Sequence, residues 1–160
     1  MKENRKVIVF QTGNGEYGIF IENILSIEKV DKITPIPHLP SYVSGMVKVR
    51  DELIPVLDFN MFMYHVETSD LHKSRLIVLK TESITIGIIV DEAKEIVDIP
   101  NESFKQVSLL AYSNTKYFSG VVNLEDRLIT MIDPESLVES LDRMKEIKDY
   151  MDEKKEEMHA

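Results

Sequence analysis

The chain has 160 residues, a formal net charge of −9 at pH 7 and no cysteine, and 43% of its residues are hydrophobic. This length suits one domain or two small lobes that share a core, and the lack of cysteine excludes a disulfide framework, a thiolate nucleophile and a cysteine zinc site. The acidic balance argues against nucleic acid as a partner, because binding to phosphates depends on Lys and Arg.

The start of the chain gives no sign of a targeting segment. Residues 1–6, Met-Lys-Glu-Asn-Arg-Lys, lead directly into a predicted strand, without the apolar stretch that is typical of a signal peptide. No run of the sequence approaches the ~20 apolar residues that a transmembrane helix needs. We therefore expect a soluble protein of the cytoplasm.

Four strands are predicted in the first half of the chain, over residues 7–12, 16–21, 45–49 and 53–57. A Gly-Asn-Gly turn joins the first two, since Gly and Asn tolerate a positive φ. Residues 24–30 continue in extended or mixed form, and three prolines make residues 31–41 an irregular loop. Asp58 is predicted to cap a short helix, and residues 65–73 form a polar loop.

Five strands are predicted in the second half, over residues 76–81, 84–90, 95–99, 118–124 and 128–132. The segment 100–116 is predicted as a long loop. Asp133 and Pro134 begin a helix, as its N-cap and its first helical residue. An apolar stripe at helical spacing extends this helix through Leu137, Leu141, Met144, Ile147 and Met151. Its charged end, from Asp152 onward, is expected to fray.

The two halves repeat each other. Residues 45–58 recur 75 positions later as residues 120–133, with six of the 14 positions identical and four more exchanging one apolar residue for another. Earlier pieces recur at an offset of 69, where residues 8–12 match residues 77–81. A constant order of matched pieces indicates two copies of one small β unit. Several short strands per copy favour small closed or nearly closed β-barrels.

These repeated residues resemble a known family, the CheW-like domains. Residues 45–58 resemble the family signature G-V-x-N-L-R-G-x-I-I-P-V-x-D-L, and residues 120–133 resemble its second copy. Residues 16–24 resemble the strand Y-G-I-x-I-x-x-V, and residues 33–37 the loop I-T-x-V-P. The resemblance implies a mainly β fold of two intertwined five-stranded β-barrels over residues 6–138.

Within this division the two pseudo-repeats cover roughly residues 6–64 and 74–133, and residues 139–160 form a charged, helical C-terminal extension. The chain departs from the signature at two places. Where the signature reads N-L-R-G, residues 48–51 read Lys-Val-Arg-Asp. The Arg is kept as Arg50, but Lys48 stands in place of the Asn and Asp51 in place of the Gly. Ser26 aligns with a position that is usually acidic, whereas Glu28 lies two residues on, on the same face of a strand.

The resemblance also implies a function. Such a domain acts as a bacterial chemotaxis adaptor, which couples chemoreceptors to the histidine kinase CheA without being an enzyme. The implied partners are the regulatory domain of CheA and the cytoplasmic tip of methyl-accepting chemoreceptors. No cofactor, metal, nucleic acid or direct membrane insertion is implied, and the protein would join membrane receptor arrays only through its partners.

The predicted partner-binding residues are Ile24, Ser26, Glu28, Ile36, Leu39, Gly45, Val49 and Arg50. Arg50 is either one charge of a solvated turn or a guanidinium that grips a partner's carboxylate or carbonyl. Ile36 and Leu39 either tuck into the end of a barrel or form a preformed apolar contact surface. Ile24, Ile27 and Val30 belong by default to the core, or line a groove between the barrels that receives a receptor helix.

Other candidate sites are weaker. His65 and His72 flank an acidic loop, but no rigid element would fix a metal there. The letters G-x-G-x-x-G from Gly13 to Gly18 lie in a hairpin and so predict no dinucleotide site. Inside a strand, Gly45 marks a bulge, a tight bend or a close backbone approach.

Two alternative functions stay open at this point. One is a small β-barrel enzyme or ligand carrier with a site between the lobes, which would place His38 or His65 beside a carboxylate in a polar cleft. The other is a divergent CheW-like regulator that competes with the ordinary adaptor and uses the acidic C-terminal helix as an extra contact.

Overall fold

The computed structural model describes residues 4–70, 72–106, 117–141 and 143–159. The strands of the first repeat are β1 (Asn4–Thr12), β2 (Gly15–Phe20), β3 (Ile24–Lys29), β4 (Val43–Val49) and β5 (Glu52–Asp58). Those of the second are β6 (Arg75–Lys80), β7 (Thr85–Val90), β8 (Glu92–Pro100), β9 (Phe104–Gln106), β10 (Phe118–Leu124) and β11 (Arg127–Ile132). The helices are α1 (Phe59–Tyr64), α2 (Pro134–Ser140) and α3 (Met144–His159).

Each of the two sheets takes strands from both repeats. Sheet A has the order β8-β1-β2-β11-β10-β9, and sheet B has the order β3-β6-β7-β5-β4. Thus β3 of the first repeat pairs with β6 of the second, and β8 of the second pairs with β1 of the first. Parallel pairing of β11 with β2 and of β5 with β7 completes the exchange. The prediction of two intertwined β units with a C-terminal helix is confirmed.

The prediction of two closed five-stranded barrels needs a correction. Among the strands of the described residues, neither sheet closes on itself, and sheet A has six strands. The sixth strand, β9, comes from a segment predicted as loop and pairs with β10 through Gly120–Gln106 and two further residue pairs. In sheet B the corresponding segment makes an isolated bridge, in which Thr34 and Met46 exchange backbone hydrogen bonds of 2.9 and 2.8 Å. In each repeat the connecting segment thus pairs with the free side of β10 or of β4.

In the part of the chain that the structure describes, apolar residues form three buried clusters. The largest lies between the sheets and includes Phe10, Ile19, Phe59 and Leu137. A second fills the inner side of sheet A around Val122, Ile129 and Met131. A third fills sheet B and consists of Val47, Ile54, Val56, Leu76, Val78 and Ile89. Each repeat therefore contributes to every core, since its strands are divided between the sheets.

The connection between the repeats is anchored by buried polar groups. Asp58 caps α1 as predicted, accepting a hydrogen bond from the backbone N–H of Met61 at 3.3 Å. The same carboxylate accepts from the backbone N–H and the hydroxyl of Thr68, at 2.9 and 2.7 Å. Thr68 lies in the loop predicted as polar and is itself buried. The buried carboxylate thus fastens the loop to the end of β5.

The C-terminal region forms two helices where the apolar stripe predicts one. The helical conformation ends at Leu141, whose ψ is 127°, and Arg143 has a φ of 63° before α3 begins. Leu141 is nevertheless buried in the central core, so the stripe correctly predicts burial across the break. Asp133 does not cap α2 through a backbone N–H; its carboxylate accepts from the hydroxyl of Ser136 at 2.7 Å. The second helix continues to His159, past the predicted fraying point.

A charged cluster joins the repeats on the surface of sheet A. The guanidinium of Arg127 donates to Glu16 at 2.8 Å and lies 2.6 Å from a carboxylate oxygen of Glu95. Lys94 lies 3.4 Å from Glu16. The hydrogen bond from Arg127 lowers the pKa of Glu16 and raises that of Arg127. This cluster ties β2 of the first repeat to β8 and β11 of the second.

Candidate protein-binding surface

The Arg50 hairpin joins β4 to β5 with a two-residue turn. Val49 and Glu52 are the last paired residues, and the two residues between them have positive φ, 49° for Arg50 and 66° for Asp51. Two consecutive residues in this region are typical of a type I′ turn, which matches the twist of the flanking strands. Lys48 lies 3.7 Å from the Asp51 carboxylate. The turn therefore holds the exposed Arg50 side chain at the end of a rigid hairpin.

The predicted residues of β3 lie beside this hairpin. Although β3 and β4 are opposite edges of sheet B, both border one groove of about 580 Å³ that includes Glu28, Val49 and Arg50 in its lining. A smaller cavity of about 100 Å³ is lined by Ser26 together with Val49 and Arg50. The structure thus brings together four of the eight predicted residues. We name the groove between β3 and β4, lined by residues 28–32 and 47–50 with Leu76, the seam.

Three other predicted residues pack against the central core and do not line the seam. Ile36 is buried, with 7% of its surface exposed, while Ile24 and Leu39 are half-buried beside it in the same cluster. The proline-containing loop is held to the start of the C-terminal region by Arg143, which donates to the backbone carbonyl of His38 at 2.5 Å. The barrel-end interpretation fits Ile36 best, because little of its side chain is available to a partner.

Gly45 has a local structural role. It is buried, its φ is 150°, and a Cβ at this position would lie 2.1 Å from the carbonyl oxygen of Thr34. Its repeat counterpart Gly120 is equally crowded, since a Cβ there would lie 2.4 Å from the carbonyl oxygen of Lys105. Both glycines follow a shift of strand register. Gly45 therefore positions the loop and contributes no side chain to binding.

Two apolar residues of β3 face outward. Leu25 is 48% exposed and Ile27 is 38% exposed, whereas Ile24, Ser26 and Glu28 are partly covered. The apolar character of Ile27 predicts burial in the core by default, and the sequence gives no prediction for Leu25. The exposure of both side chains follows from the alternation of side chains along a strand, which puts residues 25, 27 and 29 on one face. These two side chains add an apolar surface next to the seam.

The His and carboxylate side chains that a catalytic or metal site would require are not grouped together in the described residues. Within the described ranges there is no group of three or more His, Asp or Glu side chains that could hold a metal ion. A cavity of about 300 Å³ near Tyr64 includes Asp91 and Glu67 in its lining, but neither His38 nor His65 borders it. Asp91 accepts hydrogen bonds from Gly13 and Asn60. These bonds give that carboxylate a structural role.

Among the residues that the structure describes, none of the helices is both long and apolar enough to cross a bilayer.

Known proteins are similar to this chain in sequence and in fold. A family model described as the CheW-like domain matches residues 6–142. The chemotaxis protein CheW of Bacillus subtilis is 27% identical over 140 residues, which cover 87% of this chain and 90% of that protein. The chemotaxis protein CheW of Helicobacter pylori is 28% identical over 138 residues, covering 86% and 83%.

A solved structure gives the same architecture. The scaffolding protein TtCheW from Thermoanaerobacter tengcongensis matches with a TM-score of 0.74 at 24% identity, over 85% of this chain and 88% of that one. At this identity the likeness concerns the fold, and it agrees with two sheets that exchange strands between repeats. Since the family model covers all the β strands but the first two residues of β1, the chain belongs to the CheW-like domain family.

Proposed function

We propose that this protein is a chemotaxis adaptor, a scaffold that couples chemoreceptors to a histidine kinase by binding both. The observation that carries the proposal is the match to the CheW-like domain over residues 6–142. Relatives named chemotaxis protein CheW, from several bacteria, support the same role. An adaptor works by holding two partners at once, so its chemistry is burial and shape complementarity, and we propose no catalytic step.

We propose two partners, the regulatory domain of the kinase CheA and the cytoplasmic tip of methyl-accepting chemoreceptors. The Arg50 hairpin suits a protein contact, because Arg is enriched among residues that dominate binding energy and its planar guanidinium can grip a carboxylate with two hydrogen bonds. The exposed Leu25 and Ile27 offer apolar area beside it, and an apolar surface suits a receptor helix. Such an adaptor acts in the cytoplasm, attached to receptor arrays through its partners.

The test replaces Arg50 and compares it with its repeat counterpart. Arg50→Ala is expected to weaken binding to the CheA regulatory domain by about tenfold or more, as for a binding hot spot. The matched control is Glu125→Ala, because Glu125 is also exposed, has a φ of 51° and occupies the equivalent turn between β10 and β11. Isothermal titration measures both affinities, and thermal unfolding shows whether either variant is destabilised.

The outcomes separate three cases. Loss of affinity in Arg50→Ala at an unchanged melting temperature supports the proposed contact. A large fall in melting temperature would assign Arg50 a structural role instead. If the unmodified protein binds neither the CheA domain nor a receptor cytoplasmic fragment, the adaptor function is wrong.

A further inference from the structure

The seam is the groove between the two edge strands of sheet B. On one side lies β3, on the other β4, and the groove between them has a volume of about 580 Å³. An edge strand presents unpaired backbone N–H and C=O groups, which can pair with an added strand. The seam is larger than the two other cavities described above, which have volumes of about 300 and 100 Å³.

The second repeat shows how the same edge is completed within this molecule. There β9 pairs with β10 through three residue pairs, namely Gly120–Gln106, Val121–Lys105 and Val122–Phe104. In the first repeat the bridge between Thr34 and Met46 corresponds to the middle pair. Val47 is the counterpart of Val122. Within the described residues, β4 has no pairing on this side beyond Met46.

The two repeats also differ in the side chain that covers the core at this edge. Phe104 of β9 packs against Phe20, with ring centroids 5.8 Å apart, and joins the core of sheet A. The corresponding position in the first repeat is the smaller Ile33, which packs against the core of sheet B. Val49, near the open end of that core, is only half-buried. The seam therefore has an apolar floor that an added side chain could cover.

The charge of the seam is opposite to that of the whole chain. Four basic residues and two acidic ones line it: Lys29, Lys32, Lys48, Arg50, Glu28 and Asp31. One of the basic groups, Lys48, lies near Asp51. The whole chain carries a net charge of −9. A basic groove on an acidic protein favours a ligand of negative charge, which it attracts while the remaining surface repels it.

We propose that the seam binds an extended, acidic segment of a partner protein, which pairs with the free edge of β4 beyond Met46, next to the bridge that Thr34 already makes. This inference rests on the proposed function in one respect, since Glu28, Val49 and Arg50 border the seam and are candidate partner-binding residues. Backbone hydrogen bonds to β4 supply affinity. The basic side chains select acidic residues, and the apolar floor receives an apolar side chain of the segment.

The probe is a capped, fluorescent peptide of about six residues, a usual strand length, with alternating glutamate and valine. It is compared with a lysine–valine peptide and with a glutamate–valine peptide whose alternate amides are N-methylated. The protein variants are the double replacement Lys29→Glu with Lys48→Glu, and Lys73→Glu as the matched control. All three lysines are exposed, and Lys73 lies outside the seam. Fluorescence anisotropy gives the dissociation constants.

We expect the acidic peptide to bind and its affinity to fall about tenfold or more in the double variant, but not in Lys73→Glu. N-methylation should weaken binding by a similar factor, because it removes donors to the strand edge. Hydrogen exchange should slow for backbone amides within residues 47–50. Equal binding of the acidic and basic peptides, unchanged binding after N-methylation, or no binding overturns the inference.

Three further outcomes identify another occupant of the seam or the source of a failure. If the protein alone forms dimers that the peptide dissociates, the seam binds a second copy and the inference is wrong. If the peptide fails to bind while the CheA domain still binds, only the seam assignment fails. If the peptide binds as expected but neither CheA nor a receptor fragment does, the seam assignment holds and the adaptor function fails.

Discussion

At the scale of single residues, Gly45 decides how closely the proline-containing loop approaches β4. A Cβ at position 45 would lie only 2.1 Å from the carbonyl oxygen of Thr34, so no other residue fits there without a shift of the backbone. The φ of Gly45, 150°, is also one that residues with an L side chain rarely adopt. The loop then forms its two backbone hydrogen bonds between Thr34 and Met46. A side chain at position 45 would separate these backbones and change the edge of the seam.

We therefore expect Gly45→Ala to lower the free energy of unfolding by about 2–4 kcal/mol, the range of substitutions that introduce backbone strain or overpacking. Gly15→Ala is the control. Its Cβ would lie 3.0 Å from the nearest atom of the Tyr17 side chain, a much less severe approach than the 2.1 Å to the Thr34 carbonyl oxygen at position 45. Urea denaturation measures both variants. Equal losses would show that the contact with Thr34 is not the cause.

The sequence predicts a backbone role for Gly45, because the repeat aligns it with Gly120. It does not decide between a bulge, a bend and a close approach, since the answer depends on Thr34, a residue outside the strand. The same limit applies to Ile27. Its apolar character favours burial, but β3 is an edge strand, and the sequence alone does not show what would cover its outer face.

At the scale of elements, the C-terminal helices show what a hydrophobic stripe can and cannot predict. Ile147 and Met151 are each 1% exposed in the central core, so the stripe predicts the buried face of α3. It does not predict the break after α2, because that depends on how Leu141 turns into the core between the sheets. The sequence does not predict β9 either, since a strand of three residues is too short to show a periodicity.

The burial of α3 carries a prediction about the extension over residues 139–160. Met151→Ala should destabilise the protein by about 2–5 kcal/mol, as is usual for truncation of a buried side chain. The control is Glu153→Ala on the exposed side of the same helix, with an expected change within about 0.5 kcal/mol. Chemical denaturation tests both. If Met151→Ala unfolds at the same denaturant concentration as the parent protein, α3 does not contribute to the core in solution.

At the scale of the whole molecule, the exchange of strands makes the two repeats depend on each other. Their sequence similarity predicts two related units, and the family resemblance adds that these are intertwined. The pairing partners could not be obtained from strand patterns, because β1–β8 and β3–β6 contacts join distant parts of the chain. The charged cluster of Glu16, Lys94, Glu95 and Arg127 adds a further link between the repeats.

This exchange predicts that neither repeat folds by itself. A fragment of residues 1–72 would lack β8, which pairs with β1, and β6, which pairs with β3. A fragment of residues 73–160 would lack β1 and β3, the partners of these same two strands. The cut lies between His72 and Lys73, which are both exposed. We expect each fragment alone to give no cooperative unfolding transition, because each would leave the apolar faces of both sheets uncovered.

Mixing the two fragments should restore a cooperative transition, because every pairing within the two sheets then becomes available again. Far-UV circular dichroism during thermal unfolding measures each fragment and their mixture, with the uncut chain as reference. Recovery should be slow, since the contacts that must form are distant in sequence or between molecules. A cooperative transition in either fragment alone would mean that a repeat can pair its own strands, and the exchange seen here would then not be needed for stability.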